Sequence, residues 1–193
     1  IYFNHLIYMY TKWLNQTNMS EVELVGGKNA SLGEMIQNLS SLGIKIPNGF
    51  IITSIAYDEF INNNNLDIKI KNIMKSIKQD NSDLKEKGKI IRNLIIESKL
   101  SDRIKKDILI KYKELSKQFN VNSVEVAVRS SGTAEDMPDA SFAGQQDTFL
   151  NVTSYEDLLL TVKLCFASLY NDRAISYRKS MNYQNKNIKI SIC

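Results

Sequence analysis

Hydrophobic residues recur every three or four positions through much of the chain, which is the spacing of amphipathic helices. The spacing predicts a helix from Gly26 to Gly43, three consecutive helices between Leu66 and Phe119, and a further helical stretch from Ser154 to Tyr183. In the first of these helices, Gly33 is predicted to permit close packing. The apolar stripe of this helix consists of Leu32, Met35, Ile36, Leu39 and Leu42.

Short runs of β-branched and aromatic residues predict strands between the helices. These runs cover Phe50 to Thr53, Val124 to Val128, the residues after Thr148, and Ile188 to Ile192. Ser54 is predicted to cap a helix that carries Tyr57, Phe60 and Ile61. The mixture indicates an α+β fold with a helical section at about residues 66–119.

The loop within the stretch from Val126 to Val152 is the part of the chain that a packed core does not explain. Loops of this length without structure of their own are usually functional or disordered. This one contains Met137, Phe142 and Ala143, apolar residues that a disordered linker tends to lack. Because strand-forming runs also bound it on both sides, we predict an ordered binding loop.

The helix that opens on Gly26 and Gly27 has a lysine in its first turn, where the helix dipole disfavours a cation. A bound anion would resolve this conflict, since glycine amides, the helix N-terminus and the Lys28 ammonium can all point at one phosphate. The short motif by itself favours the alternative, in which Lys28 bends into solvent. It also lacks the spacing of a Walker A loop.

Arg129 is predicted at the end of its strand, where α/β architectures place ligand-binding groups. The residues leave two interpretations open, an ion pair with Glu135 or Asp136 and the binding of a phosphate. Further along, Gly144 lies between a small residue and two amides, which would let the backbone approach a ligand closely. The alternative is a tight turn that places Phe142 in the core.

Composition narrows the function classes. At 193 residues and 43% hydrophobic content, the chain is long enough for one good-sized domain with a packed core. Its net charge of +4 is spread along amphipathic segments, so we predict solvated helix faces and no nucleic-acid partner. Cys165 and Cys193 have no metal-ligand spacing, which predicts no metal site and a reducing, cytoplasmic compartment. The apolar N-terminus is too short to span a membrane.

The two ends of the sequence suggest a fragment of something longer. The sequence begins with Ile1 in place of methionine and ends at Cys193, directly after a strand-like run. We expect residues 1–12 to be an N-terminal extension and residues 13–193 to be the N-terminal part of one nucleotide-binding domain.

Four segments in order resemble a known family. They are VGGKNASLGEM, IPNGF, VAVRSSGTAEDMPDASFAGQQDTFLNV and FASLYNDRAISYR. Together they resemble the N-terminal nucleotide-binding part of the phosphoenolpyruvate synthase (pyruvate, water dikinase) family, from about Trp13 to the C-terminus. Pyruvate, phosphate dikinases and rifampicin phosphotransferases share this plan. The resemblance implies a partial ATP-grasp module with a helical insert.

The resemblance also implies a reaction. ATP, pyruvate and water give phosphoenolpyruvate, AMP and phosphate through a phosphohistidine on a separate swivelling domain, with Mg²⁺ neutralising part of the polyphosphate. The family's pattern implies that Lys28 and Arg129 bind the ATP phosphates and that Gly144 lies over the nucleotide. Further candidates for nucleotide binding are Gly26, Gly27, Ser130, Ser131 and Gln145.

The same comparison implies that no catalytic residue lies within this sequence. Its only histidine, His5, falls outside the resemblance, so the phosphohistidine and the pyruvate-binding domain are expected elsewhere, and this chain alone should not turn over. Two alternatives remain open. One is a related phosphotransferase with another acceptor, such as an antibiotic, and the other is a nucleotide-binding module without catalysis.

Overall fold

The main sheet of this computed structural model has five strands. The structure describes residues 9–133, 136–137, 140–141, 147–181 and 188–193, with 136–137 and 140–141 described by their backbone. Neighbouring strands are antiparallel. In spatial order they are β1 (Thr11–Trp13), β2 (Phe50–Ile52), β7 (Ile190–Ile192), β3 (Val126–Gly132) and β6 (Thr148–Val152). A separate two-stranded sheet pairs β4 (Asp136–Met137) with β5 (Ala140–Ser141).

Two helices precede β2, four lie between β2 and β3, and two follow β6. They are α1 (Val22–Val25), α2 (Gly27–Leu39), α3 (Ser54–Asn63), α4 (Leu66–Lys75), α5 (Leu84–Glu97), α6 (Asp102–Gln118), α7 (Tyr155–Ser168) and α8 (Asp172–Ser180). Short 3₁₀ turns occupy Leu14–Gln16, Met19–Glu21 and Ser40–Leu42. The α+β class is therefore confirmed, and α4, α5 and α6 confirm the three helices predicted in the helical section.

The larger core lies on one face of the main sheet. Phe166 on α7 is fully buried there, with its ring 5.2 Å from that of Tyr57 and 5.3 Å from that of Phe60 on α3. Ile190 and Ile192 of β7 are buried in the same cluster. Cys165 is also fully buried in it, and burial raises the pKa of its thiol well above the ordinary range.

A smaller core lies on the opposite face, where α2 packs against the sheet. The predicted apolar stripe is confirmed at Leu32 and Ile36, which pack partly buried against this core, but it is wrong at Met35, which is 45% exposed, and at Leu42, which is 73% exposed. The fully buried positions of α2 are small residues: Gly27, Asn29, Ala30 and Gly33. A Cβ built on Gly33 would lie 2.2 Å from the Thr17 hydroxyl, which confirms its role in close packing.

Two boundaries differ from expectation. Thr53, not Ser54, is the N-cap residue of α3, and the Ser54 hydroxyl donates to the Glu23 carbonyl at 2.9 Å. Ser54 is drawn inward because α1 packs beside α3, a contact between segments that a local pattern does not contain. Thr11 and Lys12, from the range expected to be an extension, form β1 with Trp13. The domain boundary stays a prediction.

Candidate functional site

The N-terminus of α2 lies directly on β3. Gly26, the N-cap residue of α2, has φ +76° and ψ +156° and is buried. A Cβ built on it would lie 2.4 Å from Ser131 Oγ and 2.7 Å from the Ser131 carbonyl oxygen. Only a residue without a side chain fits this contact. Lys28 follows in the first turn of α2 and is exposed.

Arg129 lies within β3 and not at its end, so that prediction is wrong. Its N–H donates to the Cys193 carbonyl at 2.6 Å, and its own carbonyl accepts from the Cys193 N–H at 2.9 Å. β3 continues to Gly132 because β7, more than 50 residues later, supplies partners for Ser130 and Ser131. A local pattern contains no sign of that distant strand.

The side chains of Arg129 and Ser131 point to the same face of the sheet, since alternate residues of a strand do so. Ser131 contacts Gly26 on that face. The exposed Arg129 therefore stands on the side of the sheet where α2 begins and where Lys28 is found.

The positive charges of both cations act on the thiol of Cys193. Burial raises the pKa of Cys193 to about 11, while the positive charges of Arg129 and Lys28 both act to lower it. A charge affects a thiol in this way when it is close to it. Two cations beside one helix N-terminus form an environment that attracts a phosphate.

A buried polar network holds this corner together. The Asn29 side-chain amide donates to Ser191 Oγ at 3.1 Å, and the Ser191 hydroxyl donates to the Val25 carbonyl. Ser191 Oγ also lies 3.2 Å from the Ser131 carbonyl oxygen. The network ties α1 and α2 to β3 and β7. Sequence reasoning missed Asn29 and Ser191. The position of Asn29 among the small residues Gly27, Ala30 and Gly33 was a signal that could have identified it.

The remaining candidates fall into two groups. Gly26, Gly27, Ser130 and Ser131 are buried, and the Ser130 hydroxyl donates to the Asp147 carbonyl at 3.1 Å. Their contacts with a nucleotide stay predictions. Gly144 and Gln145, together with the predicted binding loop around them, lie outside the described residues.

The motif that ends in Arg178 contributes to the core. Arg178 is 6% exposed, donates through Nη2 to the Leu169 carbonyl, and stacks its guanidinium 5.1 Å from the centre of the Tyr170 ring. The Tyr170 hydroxyl lies 3.3 Å from that of Tyr57. Arg178 therefore anchors α8 to α7 and, through Tyr170, to α3.

A cleft of about 810 Å³ begins beside Arg129 and Cys193. Its lining is mainly apolar and includes Leu14, Leu32, Phe50, Val128 and Leu158. In the part of the chain that the structure describes, no three His, Cys, Asp or Glu residues are grouped as metal ligands. The described helices likewise include none that is long and apolar enough to cross a membrane.

Cys193 should react slowly with iodoacetamide. With a pKa of about 11, its thiolate fraction at pH 8 is roughly 200-fold below that of a free cysteine with pKa about 8.5. The sign follows from burial, which disfavours the charged form, so the rate should keep rising about tenfold per pH unit up to about pH 11. Free cysteine, measured by mass spectrometry in the same series, should level off near pH 9. If the rate for Cys193 also levelled off near pH 9, the thiol would not be buried as the structure has it.

Comparison with known proteins identifies the family of this chain. Residues 22–193 match the family described as pyruvate phosphate dikinase, AMP/ATP-binding domain. The chain is 45% identical over 181 residues to the phosphoenolpyruvate synthase of Aquifex aeolicus, covering 93% of this chain and 21% of that protein. It is 46% identical over 180 residues to that of Escherichia coli, covering 93% and 22%, and 44% identical over 184 residues to that of Helicobacter pylori, covering 95% and 23%.

The chain spans roughly a fifth of the length of these curated relatives. The family model covers most of this chain and includes both Lys28 and Arg129. The chain therefore belongs to the pyruvate phosphate dikinase family of AMP/ATP-binding domains.

Proposed function

We propose that the chain binds ATP as the N-terminal part of an ATP-grasp module in a phosphoenolpyruvate synthase-like dikinase. The observation that carries the proposal is that Arg129 lies on the face of the sheet where Gly26 contacts Ser131 and where α2 begins, with Lys28 in the first turn of that helix. Two cations and a helix dipole together offset the charge of a polyphosphate.

In the whole protein, ATP, pyruvate and water would give phosphoenolpyruvate, AMP and phosphate. The phosphoryl group would pass through a histidine on another domain, and the protein would act in the cytoplasm. The part played by this chain is to hold and orient the polyphosphate. Because transfer of a phosphoryl group depends mainly on positioning and on charge stabilisation, cations fixed on a helix and a strand suit that part.

Arg129 and Lys28 would contribute differently. The guanidinium of Arg129 offers several donors in a planar fork and can bind two phosphate oxygens at once. The ammonium of Lys28 acts as a point charge close to the amides of α2. The backbone hydrogen bonds between Arg129 and Cys193 fix where the arginine side chain begins.

The proposal includes Mg²⁺ as the counter-ion of ATP, but the described residues do not supply a site for it. Hard divalent cations prefer carboxylate and other oxygen ligands. The described side chains around Lys28 and Arg129 include no acidic cluster of that kind.

ATP should stabilise the chain against heat. At a free ATP concentration ten times Kd, ligand linkage adds about 1.4 kcal/mol, which corresponds to a rise in Tm of roughly 3–6 °C for a chain of this size. The measurement is differential scanning fluorimetry with ATP and Mg²⁺, and matched samples contain adenosine or inorganic triphosphate. ATP should give the largest shift. Equal shifts with triphosphate would indicate general anion binding and contradict a nucleotide site.

A further inference from the structure

The segment that leads into β2 contains an asparagine followed by a glycine. Asn48 and Gly49, in the motif IPNGF, form the only Asn-Gly pair in the sequence. Asn48 is exposed, and Gly49 is half-buried. Because glycine has no side chain, it leaves the backbone nitrogen that follows the asparagine less shielded than any other residue would. The proposed function gives no part to either residue.

The backbone nitrogen of Gly49 lies against the side chain of Asn48. Its N–H donates to Asn48 Oδ1 at 2.9 Å. Because a C=O bond is about 1.2 Å long, the nitrogen is also within about 4 Å of Asn48 Cγ. The Nδ2 atom of the same amide donates to Gln118 Oε1 on α6 at 3.0 Å, which restrains the side chain in this position. Reacting atoms in productive geometries are about 3–3.5 Å apart, so a small movement brings the nitrogen onto Cγ.

We propose that Asn48 deamidates spontaneously in the folded chain and that the isoaspartyl product loosens β1 from β2. The Gly49 nitrogen bonds to Asn48 Cγ, and its proton passes through water to Nδ2, which leaves as ammonia when its bond to Cγ breaks. Water then opens the resulting cyclic imide at one of its two C–N bonds. Opening at Cγ gives aspartate, and opening at the original backbone carbonyl gives an isoaspartyl linkage. Nothing is oxidised or reduced in these steps.

A second exposed asparagine shows what distinguishes Asn48. Asn81 precedes Ser82, and both residues are exposed. The Asn81 Oδ1 atom accepts from the ammonium of Lys179 at 2.6 Å. The Ser82 N–H donates to Asp80 Oδ1 at 3.0 Å, so the nitrogen that would attack Asn81 is directed to a neighbouring carboxylate. Exposure by itself therefore does not arrange an asparagine for this reaction.

The isoaspartyl product lengthens the backbone at the edge of the main sheet. The linkage adds one backbone atom directly before Gly49, whose carbonyl accepts from the Leu14 N–H at 3.0 Å. The next residue, Phe50, pairs with Trp13 where β2 begins. A longer backbone at this point displaces one or both of these contacts. Aspartate, the other product, adds a charge but leaves the backbone length unchanged.

The test follows the folded chain during incubation at mildly alkaline pH. Peptide mapping by mass spectrometry measures the loss of each asparagine, and labelling with an isoaspartyl methyltransferase counts the isoaspartate. Asn48 should convert about tenfold or more faster than Asn81 in the same sample. The matched variant is Gly49→Ala, whose Cβ would lie 3.2 Å from Leu14 Cδ1, the end of a flexible side chain. Circular dichroism should show that this variant folds, and its Asn48 should convert about tenfold more slowly.

Trp13, the only tryptophan, reports on the sheet edge, because its ring lies 6.2 Å from that of Phe50. Its emission should move to longer wavelength as isoaspartate accumulates, since its ring gains contact with water. Asn48→Asp adds the charge without the extra backbone atom and should keep the original emission.

Two results would overturn the inference. Equal rates at Asn48 and Asn81, or an unchanged rate in Gly49→Ala, would show that the geometry at Asn48 does not promote deamidation. Isoaspartate that accumulates without a change in Trp13 emission would show that β1 stays on β2. Since none of these readouts uses ATP, the outcome does not depend on nucleotide binding.

Discussion

Gly26→Ala is expected to lower the free energy of unfolding by about 4 kcal/mol. Two effects combine in this estimate. The backbone at φ +76° and ψ +156° lies in a region used almost only by glycine, and strain of that kind costs about 1–3 kcal/mol. The new Cβ would also lie 2.4 Å from Ser131 Oγ, and overpacking of this kind costs about 1–3 kcal/mol. Urea denaturation measures the sum.

Two glycines provide matched controls for this prediction. Gly43 also has a positive φ, +81°, but a Cβ there meets nothing within 4 Å, so Gly43→Ala should cost only about 1–2 kcal/mol. Gly33 has no positive φ but would press its Cβ against Thr17, which isolates the packing effect. If Gly26→Ala destabilises the chain no more than Gly43→Ala does, α2 does not lie directly on β3.

The result also bears on the role of Gly26. The resemblance assigns Gly26 a possible contact with the nucleotide, while the structure shows a buried glycine against Ser131. A stable Gly26→Ala protein with weakened ATP binding would favour the first role. A protein that unfolds more readily, yet binds ATP normally once folded, would favour the second.

The sequence predicts some elements well because their signals are local. α4, α5 and α6 are amphipathic helices whose apolar residues repeat within a few turns, and each forms where the spacing indicates. α2 shows the opposite. Its large apolar residues suggested the buried face, but close approach to the sheet requires small residues, so Ala30 and Gly33 are buried while Met35 is exposed.

The two cations of the proposed site could be picked out from the sequence, but the strands that position them could not. Lys28 was conspicuous because a cation opens a helix, and Arg129 because an arginine follows an apolar strand. Their common position depends on β7, whose residue Ser191 lies 162 positions from its partner Asn29. No local pattern links residues so far apart, so both the extension of β3 and the buried network required the structure.

Lys28→Ala and Arg129→Ala are each expected to weaken ATP binding by about 10- to 100-fold. Each substitution removes charge-assisted hydrogen bonds to phosphate, and such bonds contribute about 1.5–3 kcal/mol. Both side chains are exposed, so stability without ATP should change by no more than about 0.5 kcal/mol. Isothermal titration calorimetry gives the affinities, and thermal melting without ATP checks the fold.

The controls separate specific contacts from overall charge. Lys69→Ala removes one charge from an exposed position on α4 and should leave ATP affinity within about twofold of the original, since surface charges at a distance are screened. Arg129→Lys keeps the charge but loses the planar fork, so its affinity should fall between those of the original chain and Arg129→Ala. If Lys28→Ala weakens binding no more than Lys69→Ala does, general electrostatic attraction accounts for ATP binding and Lys28 has no place on the phosphates. Because the charges of Lys28 and Arg129 both act on the Cys193 thiol and would bind the same polyphosphate, their effects on ATP affinity should be coupled, with the double variant losing less binding energy than the two single losses combined.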